Sequence, residues 1–496
     1  MTVYIDPLTG DNSRRGESPE TALRDLEPLT RGILPPGTVV RLRAGACHQG
    51  GFTLTAAGEA ARPVQIGAYG EGEKPVIDGR GAPAALRLRN CAYIELADLE
   101  LRNTAHAPGD CSGLAVTAGG EGCRTEVLRH TVLRRLTVRQ VNGRLSRGTA
   151  GLIITVEPAA APCRFDGLTV EDCDISDTGS CGIILNSVYG KRPEIASWDI
   201  QPLPFTPCTG VVIRRCRVHD LPGDGMWIST TKGAVLEYNT VYNTSYGELT
   251  QYAGMWPHNS DGCVMQFNEL YENRLGAGDG QGLDVDINCN DTLVQYNYSH
   301  DNEGGFLLVC TDGEAGHYNR GTVVRYNISR NDRNSLVTIK GIEVTGLQVY
   351  NNTFITDFGY PAGTISTLLW SRNDAVFANN LFVDKAPAAS RFVDAKDGEG
   401  NPRDNRGLVM TFESNFFAGR APEEEETIRV LPSNRTGEDP GLAAPEDPGP
   451  QGCRLRPDAN CAYAGKRLMD RGERDFFGKR AMDAPPSMGA HEPEKA

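Results

Sequence analysis

Short runs of alternating apolar and polar residues recur along almost the whole chain, each interrupted by Gly, Asn or Asp. Period two is the spacing of a strand with one buried face, and the runs are too closely spaced for crossover helices between them. One unit repeats: Val235-Leu236-Glu237-Tyr238-Asn239, Val264-Met265-Gln266-Phe267-Asn268, Val294-Gln295-Tyr296-Asn297 and Val324-Arg325-Tyr326-Asn327. Later copies are Val349-Tyr350-Asn351-Asn352 and Phe377-Ala378-Asn379-Asn380, and weaker ones surround Cys173 and Cys216. The first four Asn residues recur at 29, 29 and 30 residues. A constant period of this length predicts one solenoid turn per repeat, because stacked coils bury every apolar face. The fold class is therefore all-β, a single-stranded solenoid of stacked parallel β coils, with the recurring Asn a stacked turn residue that tolerates left-handed geometry.

The ends complete this picture. Residues 1–80 carry Tyr4-Ile5-Asp6-Pro7, Gly16-Glu17-Ser18-Pro19, Pro36-Gly37-Thr38-Val39-Val40 and Ile66-Gly67-Ala68-Tyr69-Gly70. They resemble the N-terminal cap and opening coils of the pectate-lyase-like right-handed β-helix superfamily. Residues 81–420 are expected to form the helix body. Residues 421–496 hold the acidic run Glu423-Glu424-Glu425-Glu426, a Pro/Gly-rich stretch, and a closing segment, Met488-Gly489-Ala490-His491-Glu492, that is similar to the capping tail of those proteins. Caps at both ends would cover otherwise unpaired strand edges.

Composition narrows the partners. A formal net charge of −14 argues against nucleic acid, which is bound through a basic surface, and mildly against a polyanionic glycan. No apolar run approaches the ~18 residues a membrane helix needs. The first residues read as structure rather than a secretory signal, so a cytoplasmic location is expected, or a secreted one if a signal has been removed. Fourteen Cys are scattered singly, without Cys-x-x-Cys or zinc spacing. Cys173, Cys181, Cys216, Cys263, Cys289 and Cys310 lie in apolar runs and read as reduced thiols of the core.

Candidate chemistry emerges when one strand per coil is aligned at its preceding Gly: Gly225-Met226-Trp227-Ile228-Ser229, Gly254-Met255-Trp256-Pro257-His258, Gly282-Leu283-Asp284-Val285-Asp286 and Gly305-Phe306-Leu307-Leu308-Val309. Alternation turns Met226, Met255, Leu283 and Phe306 inward. Trp227, Trp256 and Asp284 then form one outward column, and Ser229, His258 and Asp286 a second. The turns before these strands add Asp224, Asp279, Gln281, Asp301 and Glu303 along a rim. Singly, each has an ordinary explanation: outward Asp for solubility, Asp beside Gly for turns, Trp packed under a loop, His258 orienting Asp286, His300 serving its turn. Together, two indoles and a cluster of carboxylates match a glycan cleft, in which rings stack on sugar faces and carboxylates supply acid and base. The loop 187–210, with Tyr189, Arg192 and Trp198, is long enough to wall such a cleft.

Glycoside hydrolysis requires one protonated and one ionised carboxyl group. The leading assignment makes Asp284 or Asp286 the nucleophile or base and Asp301 or Glu303 the acid, on an oligosaccharide or polysaccharide and without a cofactor. The stretch from Gly282 through Tyr296-Asn297-Tyr298-Ser299-His300-Asp301-Asn302-Glu303-Gly304-Gly305-Phe306 resembles β-helix proteins of glycan breakdown, which implies a glycan-acting enzyme. The Asn-Thr-Asp, Gly-His-Gly and Arg-Ile-Lys elements of the polygalacturonase branch are missing, which weighs against galacturonan hydrolysis. The second reading is a polysaccharide lyase, with the carboxylates holding Ca²⁺ against a uronate and Lys340 as the base, although Lys340 also reads as a surface lysine. The third is a non-catalytic glycan-binding β-helix. The sequence does not indicate an oligomeric state.

Overall fold

The computed structural model describes all residues except 106–108, 124, 197, 313, 370–372, 385–390, 397–407, 471, 481–484 and 495–496. It divides into two compact units, Met1–Tyr252 and Ala253–Ala496. The fold is the right-handed parallel β-helix expected from the repeat and the resemblance, with the strands of each unit falling into three parallel sheets. Helix among the described residues is limited to three short 3₁₀ segments, Pro19–Thr21, Glu27–Arg31 and Pro450–Cys453.

In the first unit Thr2–Ile5 pairs with Val39–Arg43, and that strand with Val64–Tyr69. The parallel register stacks equivalent positions directly. Leu54, Leu88, Val116, Ile154, Leu185 and Ile228 form one such column, and all are buried. Each fully buried aliphatic side chain contributes roughly 1.5–3 kcal/mol, so each coil depends on the ones above and below it for stability. In the second unit Leu283, Leu307, Val337 and Ile365 make the corresponding buried column. Strand pairing there continues as far as Arg435–Thr436. The tail then packs Leu455, Met488 and Ala490 against Ile328, Ile355, Leu381 and Phe416.

The repeated Asn is a buried ladder. In the second unit the side-chain carbonyl of Asn297 accepts the backbone N–H and the amide of Asn268, both at 3.0 Å. Asn327, Asn352, Asn380, Asn415 and Asn434 continue the same pattern. The amides thus satisfy turn N–H groups that have no strand partner. In one respect the expectation needs correction. The left-handed residue is the one before the Asn: φ is +56° at Phe267, +57° at Tyr296 and +50° at Tyr326. Phe267 and Tyr296 stack with ring centroids 5.0 Å apart, and Tyr296 and Tyr326 at 6.0 Å, so ring stacking offsets the strain at these positions. In the first unit Cys216 takes the Asn position, its N–H bonded to Asn239 and its thiol donating to backbone carbonyls.

All fourteen cysteines are free thiols, and the six assigned to the core from sequence are buried.

Candidate active site

In the second unit the strand Gln281–Val285 carries Asp284, and Asp286 follows it directly. Leu283 and Val285 are fully buried in the core, so Asp284 and Asp286 project from the opposite face. Met255 pairs with Leu283, which places Trp256 beside Asp284. The Asp286 N–H donates to the Pro257 carbonyl at 3.1 Å and the Asn259 N–H to that of Ile287 at 2.7 Å, which places His258 beside Asp286. These two columns agree with the sequence alignment.

The next coil does not. Gly305 pairs with Gln281 rather than with Gly282, so Leu283 faces Leu307, Asp284 faces Leu308, and Cys310 follows Asp286. A slip of one residue exchanges the two faces of a strand. The cause is local: Gly305 has φ +124°, and a Cβ there would lie 2.0 Å from the Ser335 carbonyl oxygen. This Gly belongs to the turn and does not mark the strand position that Gly282 marks. One coil further on, Thr338 aligns with Leu308 and Lys340 with Cys310. The outward columns are therefore Trp256, Asp284, Leu308, Thr338 and His258, Asp286, Cys310, Lys340.

Asp284, Asp286 and Cys310 form a tight cluster, with one carboxylate oxygen from each Asp and the Cys310 sulfur all within 4.8 Å of one another. Cys310 Sγ donates to Asp286 Oδ1 at 3.0 Å, and the Ile287 N–H donates to the same oxygen at 2.7 Å. Burial pushes the Cys310 thiol well above its usual range; the Asp286 and Asp284 charges add to this, while Lys340 opposes it. The sulfur is therefore a protonated donor. Asp284, at 5% exposure, is buried under its neighbours, whereas Asp286 is half-buried. Trp256 and His258 are buried as well, their rings edge to face at 6.2 Å.

The remaining residues singled out from sequence lie elsewhere. Gln281 is a buried strand residue on the Leu283 face, not a rim residue, and its Oε1 has no hydrogen-bond partner. Asp279 sits half-buried in the turn before that strand. Gly305 lies opposite Gln281, five residues before Asp286, or roughly 16 Å at ~3.3 Å per residue. Glu303 and Asp301 precede Gly305, so the fold does not bring them to Asp284 and Asp286. Glu303 is bound to the Arg274 guanidinium at 2.9 Å and to the Leu275 N–H at 3.0 Å. Burial raises its pKa, but these two donors outweigh burial and hold it low. Exposed Asp301 pairs with His300 at 2.9 Å. Burial pushes His300 down, yet Asp301 and Glu269 more than compensate and raise it to about 9. Lys340 is half-buried, two coils from Asp286.

In the first unit Asp224 is fully buried and accepts from Arg147 Nε at 2.7 Å. The same guanidinium lies over the Trp227 ring at 5.6 Å, and Trp227 is buried. The loop after Ser187 folds over this face: Gln201 Nε2 donates to Asn186 and to Ser229, and Trp198 Nε1 donates to Gln201. Arg147 and Gln201 were missed from sequence because neither lies in the repeat. Cys310, read as a buried core thiol from its apolar run, is buried, but its side chain lies in the outward column beside Asp286.

The cluster offers two carboxylates and a thiol, fewer side-chain oxygens than the six to eight ligands of Ca²⁺, a set that also draws on backbone carbonyls and water.

Comparison with known proteins agrees with the fold. Residues 203–382 match the family described as right handed beta helix region. Lacto-N-biosidase of Bifidobacterium longum subsp. longum is 23% identical over 97% of this chain, which spans about a third of that protein's length, 34%. Among solved structures, the GH136 lacto-N-biosidase from Eubacterium ramulus superposes with a TM-score of 0.62 at 21% identity, covering 87% of this chain and 68% of that one. XylC in complex with xylose superposes with a TM-score of 0.55 at 12% identity, covering 100% and 99%.

Proposed function

Starting from a right-handed parallel β-helix, we propose that the chain is a glycoside hydrolase acting on an oligosaccharide through Asp284 and Asp286. The observation that carries this reading is the pairing of the two carboxylates on one strand face, with oxygens within 4.8 Å, in unequal surroundings. Glycoside hydrolysis requires one carboxyl group that carries a proton and one that is ionised. The likeness to lacto-N-biosidases supports the reading.

In the proposed reaction Asp286, the more open group, attacks the anomeric carbon as a carboxylate. The bond from that carbon to the glycosidic oxygen breaks, its electron pair goes to the oxygen, and the oxygen takes the proton of Asp284. Asp284, now a carboxylate, then takes a proton from water as the water oxygen displaces Asp286. Both groups return to their starting states. His258 and Trp256, both buried, border the pair on one side, and the half-buried Lys340 lies beyond Cys310 on the other, where it would contact the sugar.

Incubation with neutral and uronate oligosaccharides, including substrates that end in lacto-N-biose, with and without EDTA, tests the proposal. New reducing ends, insensitive to EDTA and without the ultraviolet absorbance of an unsaturated uronate, are expected. Absorbance that depends on a divalent ion would replace the proposal with the lyase reading. Bound sugar without turnover would replace it with a binding protein.

A further inference from the structure

Resting on the hydrolase reading, we propose that Cys310 is a positioning residue whose thiol fixes the Asp286 carboxylate as the attacking anion. Three observations lead to this.

First, the geometry is specific. Cys310 lies one coil from Asp286 in the outward column, and its sulfur is 3.0 Å from Oδ1. The Ile287 N–H reaches the same oxygen at 2.7 Å. Two donors on Oδ1 fix the plane of the carboxylate and leave Oδ2 for the anomeric carbon, and donors aimed at one oxygen stabilise negative charge there.

Second, the thiol is suited to donate and unsuited to react. Buried among carboxylates, it keeps its proton. A thiolate, the form needed for nucleophilic or metal-binding chemistry, is disfavoured.

Third, the backbone around the pair is held rigidly. Asn319 Nδ2 donates to the Val285 carbonyl at 2.7 Å and to those of Asp286 and Cys310 at 3.3 and 3.4 Å. One amide thus ties together the strand ends that carry the two residues, which fixes the sulfur-to-oxygen distance.

The charged and titratable groups packed around the pair are Asp284 on the same strand, His258 on the preceding coil and Lys340 on the following one. The His317 and Asp312 pair lies on the loop after Cys310. Any pH effect must be separated from theirs, so the test compares variants at Cys310 alone.

The experiment measures kcat and KM across pH for wild type, Cys310→Ala and Cys310→Ser on a substrate that the wild type cleaves, together with the infrared S–H stretch. In Cys310→Ala, which lacks the donor, kcat should fall about tenfold, KM should change little, and the acidic limb of kcat/KM should move to higher pH. Cys310→Ser, which keeps a donor, should restore most of kcat and return the limb. The S–H band lost in Cys310→Ala should lie at the low frequency of a hydrogen-bonded thiol in the wild type and shift upward in Asp286→Ala. Wild-type activity with an unmoved profile in Cys310→Ala, or an S–H band indifferent to Asp286→Ala, would overturn the role of Cys310 and leave the hydrolase reading intact. A wild type inactive on every glycan would overturn the hydrolase reading and the role of Cys310 with it.

Discussion

Cys310 Sγ and Asp286 Oδ1 lie 3.0 Å apart across neighbouring coils, and the Asp284 carboxylate is within 4.8 Å of both. Carboxyl groups this close resemble the ~5 Å arrangement of retaining glycosidases rather than the ~6.5–9.5 Å that leaves room for a water in inverting ones. Proton NMR of the first product formed should therefore show retention at the anomeric carbon. Initial formation of the opposite anomer would mean that the pair acts on water instead.

His300 makes the stability of the second unit depend on pH. Its ring is stacked between Tyr271 and Tyr298 and paired with Asp301, and its pKa is raised from 6.5 to about 9. A raised histidine contributes fully below its unfolded pKa and loses the contribution as pH rises through the folded one. The melting temperature should therefore fall between about pH 6.5 and 9 by more in wild type than in His300→Gln. Parallel curves for the two proteins would refute this.

Asp332 has the opposite preference for protonation. It ends a second ladder, accepting from Asn302, Ser299 and Ser329, and burial raises its pKa although these donors lower it in part. The folded state therefore holds this proton to higher pH than the unfolded chain does, and stability declines as pH rises from the unfolded value through the folded one. Asp332→Asn removes that penalty and keeps the ladder shape. Its melting temperature at neutral pH should rise by about 2–4 °C; a fall would show that the carboxylate's hydrogen bonds outweigh its burial.

Asn297→Ala would interrupt the main ladder. It removes the acceptor of the Asn268 N–H and the donor to the Met265 carbonyl, leaving buried polar groups unpaired. A loss of roughly 2–3 kcal/mol is expected, read as a lower denaturation midpoint. Hydrogen exchange should speed up first in the coils adjoining residue 297, since solenoid stability is built between neighbours. A substitution without effect would mean that water can replace the ladder.

The fold was legible because the repeat states it: Asn239, Asn268, Asn297 and Asn327 count the coils directly. The site was legible only within one coil. Trp256 beside Asp284 and His258 beside Asp286 follow from alternation and a shared Gly. The alignment failed at Gly305, because a Gly demanded by a tight turn looks the same in sequence as one that precedes a strand. Asp301 and Glu303 looked close because they are near in sequence to the same strand face, but strand length separates them from Asp286. Arg147 was invisible since it reaches Asp224 across 77 residues.

The most direct test of the central claim compares wild type, Asp286→Asn and Glu303→Gln for release of reducing ends from the same oligosaccharide. Loss of about 10³-fold or more in kcat/KM is expected for Asp286→Asn, with Glu303→Gln within a few-fold of wild type and all three proteins melting alike. An inactive Glu303→Gln beside an active Asp286→Asn would contradict the assignment and return the chemistry to Asp301 and Glu303 in the turn before Gly305.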